Sequence, residues 1–125
     1  MEDRIELGLM MSVMQVGDIQ EAIEFWSRLG LEVRFRCPEE GETKAAGIGH
    51  HSLQLLLKPA SDPDVIAPQS VYVVTNGVEE LHARYSTVEP ERTGRVSVRE
   101  YGMRDFSVTD PWGHRVVFGE ESRAD

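Results

Sequence analysis

A single cysteine, Cys37, stands among 125 residues, so no internal disulfide can form and no second thiol is present to make a zinc-type pair. No apolar run reaches the roughly 18 residues that a membrane span requires. The first residues include the acidic pair Glu2 and Asp3, so neither a signal peptide nor an anchor is readable, and a cytoplasmic location is expected. Basic residues are scarce: 13 Lys and Arg face 22 Asp and Glu, for a formal net charge of −9. A phosphate backbone would be repelled by that average, which argues against nucleic acid as a partner. The charge is read as a means of maintaining solubility, with steering of a cationic ligand by its long-range field as the alternative. There is no Gly-rich phosphate loop and no Ser-His-Asp arrangement.

What is present is a repeat. Val13-Met-Gln-Val16-Gly-Asp18-Ile-Gln-Glu21 recurs, at an offset of 58 positions, as Val71-Tyr-Val-Val74-Thr-Asn76-Gly-Val-Glu79. Each copy reads as a strand entering a helix, with Asp18 and Glu21 forming one capping box and Asn76 and Glu79 a second. In the first helix, Ile19, Ala22, Ile23 and Trp26 fall at helical spacing and form one buried face. Gly30 stops it, and Leu31 to Arg36 alternates apolar with polar as a half-buried strand does. Thr43–Gly49 and Ser52–Lys58 follow as an antiparallel pair. The Pro-rich stretch from Pro59 to Pro68 links the halves. A second unit then runs through a strand from Ser70, a helix from Val78, and strands at Val96–Glu100, Arg104–Thr109 and Arg115–Gly119. Asp110-Pro-Trp-Gly113 turns between the last two.

The order βαβββ–βαβββ predicts an α+β fold of one domain. Two modules, about 7–58 and 69–120, stand in pseudo-twofold arrangement and form a curled mixed sheet around a cleft. Strand alternation sends Ser12, Met14 and Val16 toward the first helix and Met11, Val13 and Gln15 into the cleft. Equivalent parity in the second module adds Gln69, Val71 and Val73.

These residues resemble the vicinal oxygen chelate superfamily of glyoxalases, bleomycin resistance proteins and extradiol dioxygenases. The resemblance runs from Val16-Gly-Asp18 through Phe25-Trp26 and Leu29-Gly-Leu-Glu-Val33 to the segment from Tyr101 to Glu120, where Asp110-Pro-Trp-Gly113 precedes a final apolar strand. It implies metal positions on the opening and closing strand of each module, which fall here at Met11, Gln54, Gln69 and Val117. None is a His or a carboxylate, and a thioether and an isopropyl group do not neutralise a divalent ion. No metal, no cofactor and no catalytic residue is therefore expected.

The ligand-binding set read from the sequence is Met11, Val13, Gln15, Gln54, Gln69, Val71, Tyr101, Met103, Arg104, Phe106, Trp112 and Val117. Arg104 is read either as a partner of Asp105 or Asp110 or as a contact for an anionic group. Such walls suit stacking, apolar burial and a few amide hydrogen bonds. The expectation is a metal-independent protein that sequesters a bulky, partly aromatic small molecule. Resemblance to the bleomycin-resistance branch further implies a homodimer whose clefts are shared between chains. The alternative is a lyase, isomerase or dioxygenase whose displaced metal is held by His50, His51 or glutamates elsewhere. His82 and His114 are read as solvated surface residues, and Glu120 as part of a tail.

Overall fold

In a computed structural model that describes residues 4–122, the chain forms ten elements. They are β1 (Ser12–Val16), α1 (Ile19–Arg28), β2 (Glu32–Cys37), β3 (Ala45–His50), β4 (Leu53–Pro59), β5 (Ser70–Val74), α2 (Val78–Val88), β6 (Ser97–Val98), β7 (Met103–Thr109) and β8 (Arg115–Glu121). Two four-stranded mixed sheets result, ordered β1-β4-β3-β2 and β5-β8-β7-β6, each with one parallel pair between its opening and closing strands. The sheets are not closed into a barrel.

Burial follows side-chain period. In the first module Met14, Val16, Ala46, Ile48, Leu55 and Leu57 lie on one face of the sheet and are buried with Ile19, Ala22, Ile23 and Trp26 of α1. In the second, Val108, Phe106, Val116 and Phe118 pack with Val78 and Tyr85 of α2. The opposite face of each sheet, here called the open face, carries no helix.

The two helices are capped differently, and the difference resets the repeat. Asp18 caps α1 by accepting from the Glu21 amide at 2.8 Å, as its spacing predicts. Asn76 does not cap α2; the N-cap is Gly77, at φ 71°, with no side-chain bond of its own. The carboxylate of Glu120 on β8 instead accepts from the amides of Gly77 and Val78 at 3.0 and 3.1 Å. Glu120 is thus a structural cap rather than a tail residue.

Asp18 therefore answers to Gly77, an offset of 59 rather than 58. A slip of one residue exchanges the faces of a strand. Val71 and Val73, expected in the cleft, pack against the core, and Tyr72 and Val74 occupy the open face instead. By the same shift the counterpart of Met11 is Ser70, not Gln69.

The modules are joined at the β1 and β5 edges. His114 is fully buried, against the surface role expected for it: its Nε2 lies 2.7 Å from the Gln15 carbonyl, and its Nδ1 accepts from the Gln69 amide at 2.9 Å. The ring thus ties the first opening strand to the start of the second. Asp110, also buried, holds the turn through bonds from the Trp112 and His114 amides to Oδ1. Trp112 lies against Gly17, where any β-carbon would collide with the indole nitrogen.

Candidate functional site

The open faces carry the candidate site. In the first module Val13 and Gln15 project from β1 on the face that carries Gln54 of β4, as strand parity predicts, with Leu56 and Lys58 as their register partners. Met11 lies next to Gln54, whose amide nitrogen donates to the Met11 sulfur at 3.2 Å. The Gln54 oxygen accepts from Arg34 at 2.8 Å, and Arg34 also reaches the His51 carbonyl at 2.9 Å. The register shifts between Val33 and Phe35, a bulge that breaks the alternation expected of this strand. Phe35 consequently lies over Gly47, in space that a side chain at that position would fill.

In the second module the open face is organised around Asp105. Its carboxylate is 1% exposed and accepts three bonds: from Arg99 Nε at 2.7 Å, from Tyr101 at 2.9 Å and from Tyr72 at 3.0 Å. Burial alone would raise the Asp105 carboxyl, but the bonds from Arg99 and the two phenols outweigh it and hold the group below its ordinary range. Burial and the adjacent carboxylate push Tyr72 up to about 12, and Tyr101 moves in the same direction for the same reasons. Both tyrosines are neutral donors to Asp105 at physiological pH. Gly119 makes the arrangement possible, because a β-carbon there would overlap the Tyr72 hydroxyl. Met103 and Val117 share this face by strand parity, with Val117 in register with Tyr72.

Besides Val71, four residues of the expected ligand-binding set lie elsewhere. Phe106 is 1% exposed on the face toward α2, stacked on Phe118 at 5.5 Å and edge-on to His82 at 5.1 Å, so a ligand on the open face does not reach it. Arg104 also faces α2, and its partner is Glu120 at 2.7 Å rather than Asp105 or Asp110. Trp112 belongs to the junction turn. Gln69 contributes its backbone to that junction, through His114 and through the bond from the Arg115 amide to its carbonyl. His82 is half-buried and bonded to the Gly94 carbonyl at 2.9 Å, not solvated as expected.

Tyr72, Asp105, Arg99, Phe35 and Arg34 were not singled out from the sequence as site residues. One signal was present: Asp105 is a carboxylate in mid-strand beside Phe106, a place where burial is tolerated only for a satisfied charge.

Two hollows accompany these surfaces. A depression of about 240 Å³ lies at the seam of the modules, bordered by Met10, Ser12, Gln54, Val71, Tyr72 and Val74 among others. A larger one of about 640 Å³ lies on the helix side, between Leu29, Leu31 and Leu53 of the first module and Leu81, Tyr85 and Phe118 of the second. Arg28 and Glu89 pair across the modules at 2.8 Å.

The positions at which the fold family holds a metal do not suit one here. Met11 and Gln54 are bonded to each other, and the Gln54 oxygen that would face a cation is already engaged by the Arg34 guanidinium. Val117 offers no donor, and the position matching Met11 in the second module is a serine. Among the described residues no group of three or more His, Cys, Asp and Glu is placed to hold an ion. His50 and His51 stand edge to face with ring centroids 4.4 Å apart at the exposed β3–β4 turn; His50 borders the larger hollow, and His51 contributes its backbone carbonyl to Arg34.

Among curated proteins none matches the sequence significantly. Solved structures do match the fold. TioX from Micromonospora sp. ML1 has a TM-score of 0.77 at 18% identity, covering 91% of this chain and 98% of its own. The bleomycin-binding protein of bleomycin-producing Streptomyces verticillus, complexed with copper(II)-bleomycin, has a TM-score of 0.70 at 20% identity, covering 97% and 99%. Lactoylglutathione lyase from Agrobacterium tumefaciens scores 0.70 at 19% identity, covering 90% and 92%. Binding proteins and an enzyme thus share this architecture, and the likeness establishes the fold alone. The sequence itself goes further, since residues 8–118 match the family model for the Glyoxalase/Bleomycin resistance protein/Dioxygenase superfamily, and with two βαβββ modules in place the chain belongs to that superfamily.

Proposed function

We propose that this protein is a metal-independent binding protein that sequesters a bulky, partly aromatic small molecule on its open faces, within a cleft completed by a second copy of the chain. The observation that carries the reading is the exposure of large side chains where the fold has no helix to cover them. Val13 is 48% exposed, Phe35 39%, Tyr72 42%, Val74 76% and Tyr101 66%. Large side chains gathered on the uncovered face of each sheet are candidates for an interaction surface. Aromatic rings held over glycines supply stacking area at low entropic cost. Acid-base chemistry finds little support there, because the Asp105 carboxylate is fully engaged and its tyrosines are held protonated. The bleomycin-binding structures of similar fold lend the reading a precedent for the ligand class.

The test combines three measurements. Thermal denaturation with metal-free bleomycin is expected to show stabilisation of roughly 2.7 kcal/mol at a concentration 100 times the dissociation constant. Elemental analysis of protein purified without chelator is expected to find no stoichiometric transition metal, and sedimentation is expected to show a dimer. One tightly held Ni, Zn, Mn or Fe per chain, or turnover of a hemithioacetal or a catechol, would overturn the metal-independent reading. A monomer at micromolar concentration would overturn the shared cleft.

A further inference from the structure

The bonds around Asp105 give its two tyrosines a fixed polarity. Asp105 Oδ2 accepts from both Tyr72 and Tyr101, while Oδ1 accepts from Arg99. A phenol carries one hydrogen, and each of these is spent on the carboxylate. What the two oxygens can still offer is lone pairs. Reversing either hydroxyl would take a partner from an oxygen of a carboxylate that is 1% exposed, and a buried acceptor left short of donors is costly. The two phenol oxygens therefore act toward a ligand on the open face as acceptors only.

The surroundings complete a recognition site. Both rings are partly exposed, and Tyr72 also borders the seam depression with Met10, Val71 and Val74. From that depression the Tyr72 ring extends across Gly119 of β8 toward Asp105 of β7, so a planar group stacked along the ring reaches the oxygens at its far end. Arg99 is paired through Nε with Oδ1, so its charge is balanced by the same carboxylate and the pair adds no net positive charge to the site.

We propose that Tyr72 and Tyr101, locked by Asp105, form the specificity-determining subsite of the open face, selecting planar aromatic ligands that carry N–H donors, such as amino-heteroaromatic or amidine groups, over analogues whose nitrogens are alkylated. The proposal rests on the binding function above and names the ligand chemistry of that site. The chain's net charge of −9 favours the protonated forms of such ligands at long range.

Two tricyclic cations separate donor recognition from charge and stacking: proflavine, with free exocyclic amino groups, and acridine orange, in which those nitrogens are dimethylated. In fluorescence titrations the wild-type protein is expected to bind proflavine at least about tenfold tighter, the equivalent of one net hydrogen bond. Tyr101→Phe and Tyr72→Phe keep the rings and remove the oxygens. Each is expected to weaken proflavine by about tenfold more than acridine orange. Tyr101 is the more exposed of the two, so Tyr101→Phe supplies a folded variant if Tyr72→Phe is unstable.

Equal affinity for the two dyes, equal losses for both dyes in the variants, or binding of neither dye overturns the subsite. Bleomycin on the same preparation distinguishes the two levels. Stabilisation by bleomycin without dye discrimination removes the subsite and leaves the binding function standing, whereas failure of all three probes removes both.

Discussion

His114 Nε2 lies 2.7 Å from the carbonyl oxygen of Gln15, a residue 99 positions earlier in the chain. With Nδ1 occupied by the Gln69 amide, the neutral ring donates from Nε2 and accepts at Nδ1, so one imidazole satisfies a backbone acceptor of the first module and a backbone donor of the second. His114→Ala leaves both groups without that partner and opens a cavity at the junction. The expected loss is about 2–4 kcal/mol, read as a lower urea midpoint. A midpoint unchanged from wild type would show that the junction holds without the clasp.

Gly119 and Tyr72 are coupled through space. A Gly119→Ala methyl occupies the volume of the Tyr72 hydroxyl, so the ring must leave Asp105, at an expected cost of about 1–3 kcal/mol. In a Tyr72→Ala background the three atoms nearest to the added methyl are gone. The double-mutant cycle is therefore expected to be strongly non-additive, and simple additivity would refute the steric coupling.

Glu120 caps α2 from another strand. Glu120→Ala removes the acceptor for the Gly77 and Val78 amides and the partner of Arg104 together. The expected destabilisation is about 1–3 kcal/mol. Hydrogen exchange supplies the specific readout: amides of the first turn of α2 should exchange faster while those of α1, capped by Asp18, do not change.

Asp105 sets a pH dependence. Although its burial alone acts to raise the pKa, bonds from Arg99, Tyr101 and Tyr72 lower it below the unfolded value near 3.8. The folded state then binds fewer protons than the unfolded chain across that window, so the contribution is fully present above the unfolded pKa and is lost as pH falls through the folded one. Asp105→Asn keeps the side-chain shape and removes the charge. At neutral pH it is expected to be less stable than wild type by about 1.5–3 kcal/mol, and the gap should narrow below pH 4. A gap that stays constant between neutral pH and the acid range would sink this account.

Local patterning carried most of the architecture. The period of Ile19, Ala22, Ile23 and Trp26 identifies α1, Asp18 marks its start, and the repeated opening strand predicts two modules; all three stand in the structure. The first-module open face, with Val13, Gln15 and Gln54, was legible because strand parity counted from Asp18 is correct. In the second module the same count began at Asn76, which resembles a cap in sequence but does not act as one. The true cap comes from Glu120, 42 residues beyond Val78, and no local pattern reports a partner at that distance. Val71 and Tyr72 changed faces as a result.

The chain by itself determined the modules, their order and the lack of charge-neutralising donors at the family's metal positions, because periodicity, turn chemistry and residue identity are local properties. Tertiary structure decided what the open faces present. The bulge at Arg34, the ring of Phe35 over Gly47 and the gathering of Tyr72, Arg99 and Tyr101 on Asp105 all join residues from different strands. A charged group tolerates burial only where folding brings its donors to it, and sequence order does not say which donors those are.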